Sequence, residues 1–283
     1  MWVLLLVLSV YGGACCALAW FYVSHRSPGG APEVAGVSSV SIPLPKYALP
    51  VFASDSLLQD RFDGSVVFVM VHGYGGSPRS WQALAREFVG NESVAVVLPW
   101  MAGHGENPCS RVGFGRPEAQ EVIGTVKWVR EKVGPRPRIV LVGVSLGAAA
   151  CWLASEDLED EVYAIVSEST FASLDETSAR WLDLVMPKGS IVLRPVLWIS
   201  ELLSGSRAST VRPVDAAASW RGRPGLIIHA QDDILMPQDN ADRLAAASQL
   251  KVWVVPHAGH AQVVKVAAPE YARRILELAG TNY

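Results

Sequence analysis

A serine between two glycines is the residue in this chain best placed for nucleophilic chemistry. Ser145 lies at the centre of Gly143–Gly147, directly after the apolar run Arg138–Val142 and directly before Ala148–Ala150. This order predicts a strand, a sharp turn and a helix, the context in which a G-x-S-x-G turn exposes a serine hydroxyl at a helix N-terminus. Glycines suit such a turn because a side chain would collide with the adjacent strand or helix. The pattern therefore predicts that Ser145 is a nucleophile.

Two later apolar runs are followed by groups that activate a serine hydroxyl. A serine needs a base such as histidine, and the base needs a carboxylate to orient it. The apolar run that ends at His229 is followed by Asp232 and Asp233. A later run, VWVV, is followed by His257 and His260. The order serine, aspartate, histidine predicts a triad, with the choice within each pair left open by these residues alone.

Attack on a carbonyl also requires donors that bind the negative charge developing on its oxygen. The N–H of Leu146, at the start of the predicted helix, is one such donor. The loop His72–Ser77 follows the apolar run Val66–Val71, and its glycines permit a turn tight enough to point N–H groups inward. We expect the N–H of Tyr74 to be the second donor.

An ordered set of motifs resembles the α/β-hydrolase superfamily. In chain order the motifs are HGYGGS at His72–Ser77, GHGENP at Gly103–Pro108, GVSLG, HAQDDILMP and HAGH. The resemblance covers roughly Val66–Gly280 and is closest to the branch of serine esterases, lipases and aminopeptidase-like enzymes, including small membrane-tethered relatives. The stretch Ser167–Phe171 is also similar to that branch.

The resemblance implies a role for each residue of the triad. It implies Ser145 as nucleophile, an aspartate as acid and a histidine as base. The family spacing between a strand-ending histidine and a proline selects Asp233 over Asp232. The preceding Ala-Gly step selects His260 over His257. This chemistry requires no cofactor and no metal.

The remaining histidines and one serine have simpler structural interpretations. We expect His72 to brace the loop that it begins, His104 to pack beneath the site, and His229 to end a strand. No ligand spacing among them supports a metal site. Ser169 lacks the strand-turn-helix context, so we do not expect it to be the nucleophile. Ala148 departs from the family pattern, because many relatives have a second glycine there.

The elements that must position these residues alternate between strands and helices. Strands that are apolar on both faces, separated by amphipathic helices, predict a mostly parallel sheet covered on both sides. The resemblance implies that this sheet has the α/β-hydrolase fold. The predicted strands are Val66–Val71, Val94–Leu98, Ile139–Val142, Val162–Val166, Gly225–His229 and Val252–Val255. The predicted helices include Pro78–Phe88 and a helix from about Pro117 to Val133.

One long stretch interrupts this alternation within the predicted hydrolase domain, residues 51–283. About sixty residues separate two predicted strands, and Ile191–Leu203 within them is apolar enough to predict a helix. Long insertions in compact folds are usually functional or disordered, and this one is too apolar for disorder. We expect a helical lid at about 170–222. The alternative is a surface excursion with its own small core.

The N-terminus is a separate element. Trp2–Val23 contains no charged residue, can cross a bilayer as a helix, and carries aromatic residues near both ends. We expect residues 1–26 to be a transmembrane anchor and residues 27–50 a tether leading into short edge strands. A cleaved signal peptide is an alternative, although its usual basic start is missing; a lipoprotein signal ending at Cys15 is a third. Arg26, after the segment, favours a cytoplasmic catalytic domain.

Composition limits the partners and leaves two rival functions. Across 283 residues the net charge is −3 and no basic stripe occurs, so nucleic acid is not expected. We expect a membrane-tethered serine hydrolase of a carboxylic ester or acyl thioester with a hydrophobic, lipid-like substrate. One rival is an aminopeptidase that holds a substrate amino group with Glu176, Asp183 or Glu201. The other is a catalytically silent, membrane-bound scaffold. The sequence does not determine the oligomeric state.

Overall fold

An eight-stranded sheet forms the centre of the molecule. The computed structural model describes residues 2–24, 27, 29–158 and 160–281. The strands are β1 (Val37–Pro43), β2 (Ala48–Ser54), β3 (Val66–Val71), β4 (Val94–Pro99), β5 (Arg138–Val144), β6 (Ala164–Glu168), β7 (Gly225–Ala230) and β8 (Val252–Val255). Their order across the sheet is β1-β2-β4-β3-β5-β6-β7-β8. Pairing is antiparallel from β1 to β4 and parallel from β4 to β8, which confirms the predicted mostly parallel sheet.

Helices cover both faces of this sheet, as predicted. They are α1 (Trp2–Ser24), α2 (Asp55–Leu58), α3 (Gln82–Arg86), α4 (Arg116–Val133), α5 (Leu146–Ser155), α6 (Leu174–Val185), α7 (Gly189–Val192), α8 (Arg194–Ser204), α9 (Pro213–Ser219), α10 (Gln238–Ser248) and α11 (Val263–Ala279). Single turns of 3-10 helix lie at Pro78–Trp81 and Ala208–Thr210.

The two cores follow from the side-chain alternation of the central strands. In β3, Val67 and Val69 pack with α4 and α5 on one face, whereas Phe68 and Met70 pack with α3 and α11 on the other. All six residues of β3 are buried. β-Branched and aromatic side chains fit such a strand because both of its faces contact helices. The polar loops that follow these strands are therefore held at one edge of a rigid sheet.

The helix predicted for Pro78–Phe88 is shorter than expected. A 3-10 turn at Pro78–Trp81 precedes α3, which ends at Arg86. Trp81 and Phe88 are nevertheless buried against the sheet. An apolar spacing of three to four residues is satisfied by a 3-10 turn as well as by an α-helix, so the pattern predicts the buried face better than the backbone type.

The insertion between β6 and β7 is helical. It contains α6, α7, α8 and α9, and the helix predicted for Ile191–Leu203 is divided between α7 and α8 at Leu193. Pro195 accounts for the division because it has no N–H to continue the helical hydrogen bonds. Trp220 is fully buried, so the end of the insertion belongs to the main core.

The N-terminal helix α1 lies along the insertion. One stripe of α1, with Cys15 and Ala19, is buried against Val196 of α8, while most of its other side chains are exposed. Residues Leu5–Ser24 are long and apolar enough to cross a membrane. Met1 and Arg26 belong to the predicted 1–26 anchor but lie outside the described residues. The structure therefore does not test the orientation predicted from Arg26. In the segment 27–50, predicted as a tether, the sheet already begins with β1 and β2.

Candidate active site

Ser145 occupies the sharp turn between β5 and α5. Its φ of 53° and ψ of −119° lie in a region that residues other than glycine rarely adopt. The flanking glycines explain how the turn is possible. A Cβ on Gly143 would lie 2.5 Å from the Cα of Ala148, and one on Gly147 would lie 2.3 Å from the carbonyl oxygen of Val71. The helix and strand therefore approach too closely for any side chain at either glycine.

His260 and Asp233 meet Ser145 in a hydrogen-bonded chain. His260 Nε2 lies 3.0 Å from Ser145 Oγ, and His260 Nδ1 lies 2.8 Å from Asp233 Oδ2. Asp232 and His257, the alternatives to Asp233 and His260 that the sequence left open, are both exposed. With Nδ1 donating to the carboxylate, Nε2 is free to accept the serine proton, which is the arrangement that activates a hydroxyl.

The carboxylate of Asp233 is buried and held on both oxygens. Oδ1 accepts hydrogen bonds from the N–H groups of Leu235 and Met236, at 3.0 and 2.8 Å. Burial opposes the charge, but the hydrogen bonds from His260 and Met236 outweigh it and hold the pKa of Asp233 below its usual value. The group is therefore ionised at neutral pH and can orient and stabilise a charged imidazole.

The loop after β3 runs directly against this turn. A Cβ on Gly73 would lie 3.0 Å from the carbonyl oxygen of Val144, so backbone packs on backbone here. Tyr74 follows and lines the same small cavity as Ser145 and His260. Leu146 is the first residue of α5, so its N–H has no partner within the helix. The two N–H groups predicted to bind an oxyanion thus belong to segments that flank Ser145.

Two buried histidines brace the loop after β3. His72 contacts the carbonyl oxygen of Gly73 through Nδ1 at 2.9 Å and accepts the N–H of Met101 at Nε2, at 3.2 Å. His104 Nε2 accepts the N–H of Gly75 at 2.9 Å. Burial, assisted by the neighbouring His104, lowers the pKa of His72 to about 3, so its imidazole is neutral. The bracing interpretation of His72 agrees with these contacts.

A buried carboxyl group that the sequence analysis missed supports the GHGENP loop. Glu121 of α4 accepts the N–H of Ala102 at 2.8 Å and the side-chain amide of Asn107 at 2.7 Å, and it also bonds the hydroxyl of Tyr47. Burial raises the pKa of Glu121 to about 8. His104 lies in this same loop, so Glu121 fixes the segment that in turn holds Gly75. The GHGENP motif indicated that this loop is important, but no sequence pattern indicated a role for Glu121.

A second carboxyl group, Glu168, lies next to the serine at the end of β6, within the stretch Ser167–Phe171 that resembles the family but for which the sequence predicted no role. Its carbonyl oxygen accepts the N–H of Ser145 at 2.8 Å, and its carboxylate accepts the N–H of Val263 at 3.2 Å. Val263 begins α11, three residues after His260. Burial raises the pKa of Glu168 to about 7, against the opposing effect of the Val263 N–H. One residue thus links the serine turn to the histidine loop.

Aromatic side chains from three other segments cluster with Tyr74 of the loop after β3. The Tyr74 hydroxyl donates to the carbonyl oxygen of Tyr22, at 2.8 Å, and the two rings are 5.3 Å apart. Tyr22 stacks on Phe114 at 4.8 Å and meets Trp181 of α6 edge-on at 6.1 Å. The end of α1 therefore contacts the insertion and the loop that carries one predicted oxyanion donor. The sequence did not predict this contact, because α1 is apolar around its whole circumference.

The cavity beside Ser145 is small. Its volume is about 100 Å³, and Trp81, Val144, Val264 and Glu168 contribute to its walls together with His260. No group of three or more metal-binding side chains occurs within the described ranges of the chain. A hydroxyl, an imidazole and an ionised carboxylate in series, beside the two N–H groups predicted to bind an oxyanion, form an arrangement that can make and break a bond to a carbonyl carbon.

Several solved structures have the same fold. An esterase from Pyrococcus furiosus is 20% identical, with a TM-score of 0.70, covering 90% of this chain and 97% of its own. A thermophilic esterase from Thermogutta terrifontis is 15% identical, with a TM-score of 0.60, covering 87% and 100%. A serine hydrolase from Cycloclasticus zankles is 15% identical, with a TM-score of 0.60, covering 85% and 98%. At these identities the similarity establishes the fold alone.

The sequence itself identifies the family. No curated protein is similar enough to the chain to count as a match. The alpha/beta hydrolase family, in contrast, matches residues 68–271, which include β3, the turn at Ser145, the insertion, and the loops that carry Asp233 and His260. The match covers most of the 283 residues. The chain belongs to the alpha/beta hydrolase family.

Proposed function

We propose that this protein is a serine hydrolase that cleaves a carboxylic ester or an acyl thioester. The observation that carries the proposal is the continuous hydrogen-bonded chain from Ser145 Oγ through His260 to Asp233, with links of 3.0 and 2.8 Å. Such a chain activates a hydroxyl that is otherwise a weak nucleophile. The strained backbone of Ser145 supports the proposal further, since strain of this kind is concentrated at functional sites.

The proposed reaction proceeds through an acyl-enzyme. Ser145 Oγ bonds to the carbonyl carbon while His260 Nε2 takes the hydroxyl proton, and the N–H groups of Leu146 and Tyr74 bind the oxyanion. The carbon–leaving-group bond then breaks, and His260 gives its proton to the departing alcohol or thiol. Water attacks the acyl-enzyme with His260 again as base, which releases the acid and restores Ser145. Asp233 stays ionised throughout and stabilises the imidazolium.

The site favours a substrate with a short acyl group on a hydrophobic alcohol or thiol. The cavity of about 100 Å³ is too small to enclose a long acyl chain. The apolar rings of Tyr22 and Trp181 lie outside it. In this proposal they provide a surface for the hydrophobic part of a lipid-like substrate.

We further infer that α1 is a membrane anchor and the insertion a lid. The exposed, uncharged helix Leu5–Ser24 supports an anchor that includes residues 1–26, with a cleaved signal peptide as the alternative. The contact of Trp181 with Tyr22 supports a lid at about 170–222, because it brings α6 over the loop beside Ser145. We also propose that the catalytic domain lies on the cytoplasmic side of the membrane, as the position of Arg26 in the sequence favours.

The acidic residues that a peptidase would use are engaged elsewhere, which favours an ester. Glu176 pairs with Arg243 at 2.5 Å. Asp183 and Glu201 accept backbone N–H groups within the insertion, at 2.9 and 2.8 Å. Carboxylates held in this way are not directed at a substrate amino group. A catalytically silent scaffold is also disfavoured, because such proteins usually lose a member of the triad and all three are hydrogen-bonded here.

Labelling with a fluorophosphonate probe tests the proposal directly. The full-length wild type in detergent should react, Ser145→Ala should not react, and His260→Ala should react far more slowly because its serine lacks a base. Ser41→Ala, an exposed serine of β1, is the matched control and should label like the wild type. Absence of labelling in folded wild type, or labelling that survives in Ser145→Ala, would contradict the proposal.

A further inference from the structure

A second cavity, much larger than the one beside Ser145, lies between α4 and the turn that joins β1 to β2. Its volume is about 870 Å³, against about 100 Å³ beside Ser145. Residues 43–47 of the turn form one wall, and residues of α4 from Arg116 to Glu131 form the other. Clefts of about 300–1,000 Å³ are the usual sites of small-molecule binding. The size of this cavity therefore suits a small molecule.

The middle of this cavity has apolar walls. Leu44 packs on the backbone of α4 at Gly124, where a Cβ would collide with it. Trp128 follows four residues later and lines the same cavity. The other apolar side chains in the walls are Pro43, Pro45, Pro117 and Ile123. An apolar chain or ring bound here would be removed from water, which is favourable.

Cations outnumber ionised acids in the walls. The charged side chains are those of Lys46, Arg116, Glu121, Lys127 and Glu131. Glu121 is buried and bonds the Tyr47 hydroxyl, and its pKa of about 8 leaves it mostly uncharged at pH 7. Glu131 lies one helical turn after Lys127, so these two charges offset each other at one end of the cavity. The positive charges of Lys46 and Arg116 remain.

The end of the cavity at the start of α4 suits an anion. Arg116 is the first residue of α4, and the N-terminus of a helix carries a partial positive charge. The Arg116 guanidinium donates to the carbonyl oxygen of Thr210 at 3.2 Å and lies 3.8 Å from the exposed Glu156. Because a guanidinium has five N–H groups, these two contacts leave donors for a further acceptor.

Ser206 provides an independent indication at the same end. The bond from Arg116 to Thr210 places the segment that follows α8 beside the start of α4. Ser206 of this segment lines the cavity and is 6% exposed. Its hydroxyl has no hydrogen-bond partner within the described part of the chain. Buried hydroxyls are rarely left in this state. An anionic oxygen at this end would accept from both Ser206 and Arg116.

We propose that this cavity binds an amphipathic anion, with a carboxylate or phosphate head at Arg116, Lys46 and Ser206 and an apolar body along Leu44 and Trp128. A guanidinium binds either head, because each presents two oxygens to parallel N–H groups. The cavity shares no wall residue with the one beside Ser145. The inference therefore depends neither on the proposed hydrolysis nor on the proposed membrane anchor.

Alkylation of Cys109 tests this inference, because Cys109 is half-buried and lines the cavity. The full-length protein in phosphatidylcholine nanodiscs is treated with N-ethylmaleimide at pH 7, and mass spectrometry measures the alkylation rate of each cysteine separately. Octanoate, octyl phosphate and octanol, which share one apolar chain and differ in the head, are compared at free concentrations fixed by dialysis. Ser93→Cys provides an exposed control thiol just before β4.

The three compounds separate the anionic head from the apolar body. Octanoate or octyl phosphate should slow alkylation of Cys109 about fivefold, at about a tenth of the octanol concentration that has the same effect. The control thiol of Ser93→Cys should react at an unchanged rate. The anion that protects at the lower concentration identifies the head. Octanol as effective as both anions would overturn the anionic head, and no protection by any compound would overturn the site itself.

Variants without the cations test which residues bind the head. Lys46→Gln combined with Arg116→Gln should raise the concentration of either anion needed for half-protection about tenfold and leave that of octanol unchanged. Arg221→Gln combined with Lys251→Gln removes two exposed cations outside the cavity and should behave like the parent. Equal alkylation of Cys109 in all three proteins without ligand shows that the cavity is intact. Unchanged protection by the anions in the first variant would overturn the proposed head site.

Discussion

At the scale of single residues, the buried carboxylate of Asp233 accepts hydrogen bonds from protein groups that take the place of water. Its two oxygens accept from His260, Leu235 and Met236. A neutral acceptor, such as a backbone carbonyl group, could orient the imidazole of a histidine. Only an ionised carboxylate also stabilises the imidazolium that forms when the histidine takes the serine proton. The backbone donors keep that charge in place despite burial, and they prevent the carboxylate from rotating away.

We predict that Asp233→Asn lowers kcat for ester hydrolysis by about 10³- to 10⁴-fold. The amide can present an N–H to His260 Nδ1, which favours the tautomer with its proton on Nε2 and removes the acceptor for Ser145. Asp232→Asn is the matched control, since that carboxyl is exposed one residue earlier. Steady-state kinetics on a soluble ester measure both. Similar kcat values for the two variants would exclude the proposed role of Asp233.

Glu168 should make stability depend on pH. Its usual pKa of 4.5 applies to the unfolded chain, whereas burial raises it to about 7 in the folded protein. Between these values the unfolded state has released the proton and the folded state retains it. The free energy of unfolding therefore falls as pH rises from about 4.5 to about 7, by about 3 kcal/mol from this group.

Glu168→Gln removes that contribution. We predict that the free energy of unfolding of the wild type, relative to the variant, falls by about 3 kcal/mol between pH 4.5 and pH 7. Denaturant unfolding in one detergent at several pH values measures the difference. Glu92→Gln, at an exposed glutamate, should follow the wild type throughout. A constant difference between wild type and Glu168→Gln would contradict the assignment.

At the scale of elements, the start of α4 is held by a buried carboxylate. Glu118 accepts the N–H groups of Gly113 and Gly115, at 2.6 and 2.7 Å. Both donors belong to the segment that leads from the GHGENP loop into the helix. A glutamate three residues into a helix often binds N–H groups at its N-terminus, which satisfies donors that have no helical partner.

We predict that Glu118→Ala destabilises the protein by about 3 kcal/mol, because it leaves two buried N–H groups unpaired. Glu131→Ala is the matched control, since Glu131 is exposed near the other end of the same helix. Chemical denaturation of both variants provides the comparison. A loss for Glu118→Ala no greater than for Glu131→Ala would show that water satisfies these donors.

The sequence predicted the strands well because their apolar runs are unambiguous. β5 and the turn at Ser145 follow from a buried run that ends in spaced glycines. The contacts of Glu118 and Glu121 were not predictable, since acids on an amphipathic helix normally face solvent. Their partners come from a loop whose position depends on the whole fold. For the same reason, an apolar helix gave no indication that Tyr22 would pack on Tyr74.

The site residues differ in how far a local motif predicts them. Ser145 lies in a motif with its own local geometry. The choice of Asp233 and His260 over their neighbours came from family spacing, and the hydrogen bonds to Ser145 agree with that choice. His257 lies closer to β8, yet it is exposed with a φ of 56°. Proximity to a strand end alone does not identify the base.

At the scale of the whole molecule, the cavity beside Ser145 limits the acyl group. We predict that kcat/KM for p-nitrophenyl acetate or butyrate exceeds that for the palmitate ester by about tenfold or more, because a cavity of about 100 Å³ cannot contain a long chain. The leaving group is the same in all three substrates, so the comparison isolates the acyl side. A preference for palmitate would show that the cavity enlarges when substrate binds.

The hydrogen bond between the Tyr74 hydroxyl and the Tyr22 carbonyl oxygen joins the end of α1 to the loop beside Ser145, the proposed reaction site. With α1 in a bilayer, this bond holds Ser145 at a nearly constant height above the lipid. Encounter with a lipid ester then becomes a search in two dimensions. The turnover rate per enzyme molecule would depend on the number of substrate molecules per unit of membrane area. Diluting the vesicles at fixed lipid composition would therefore leave this rate unchanged.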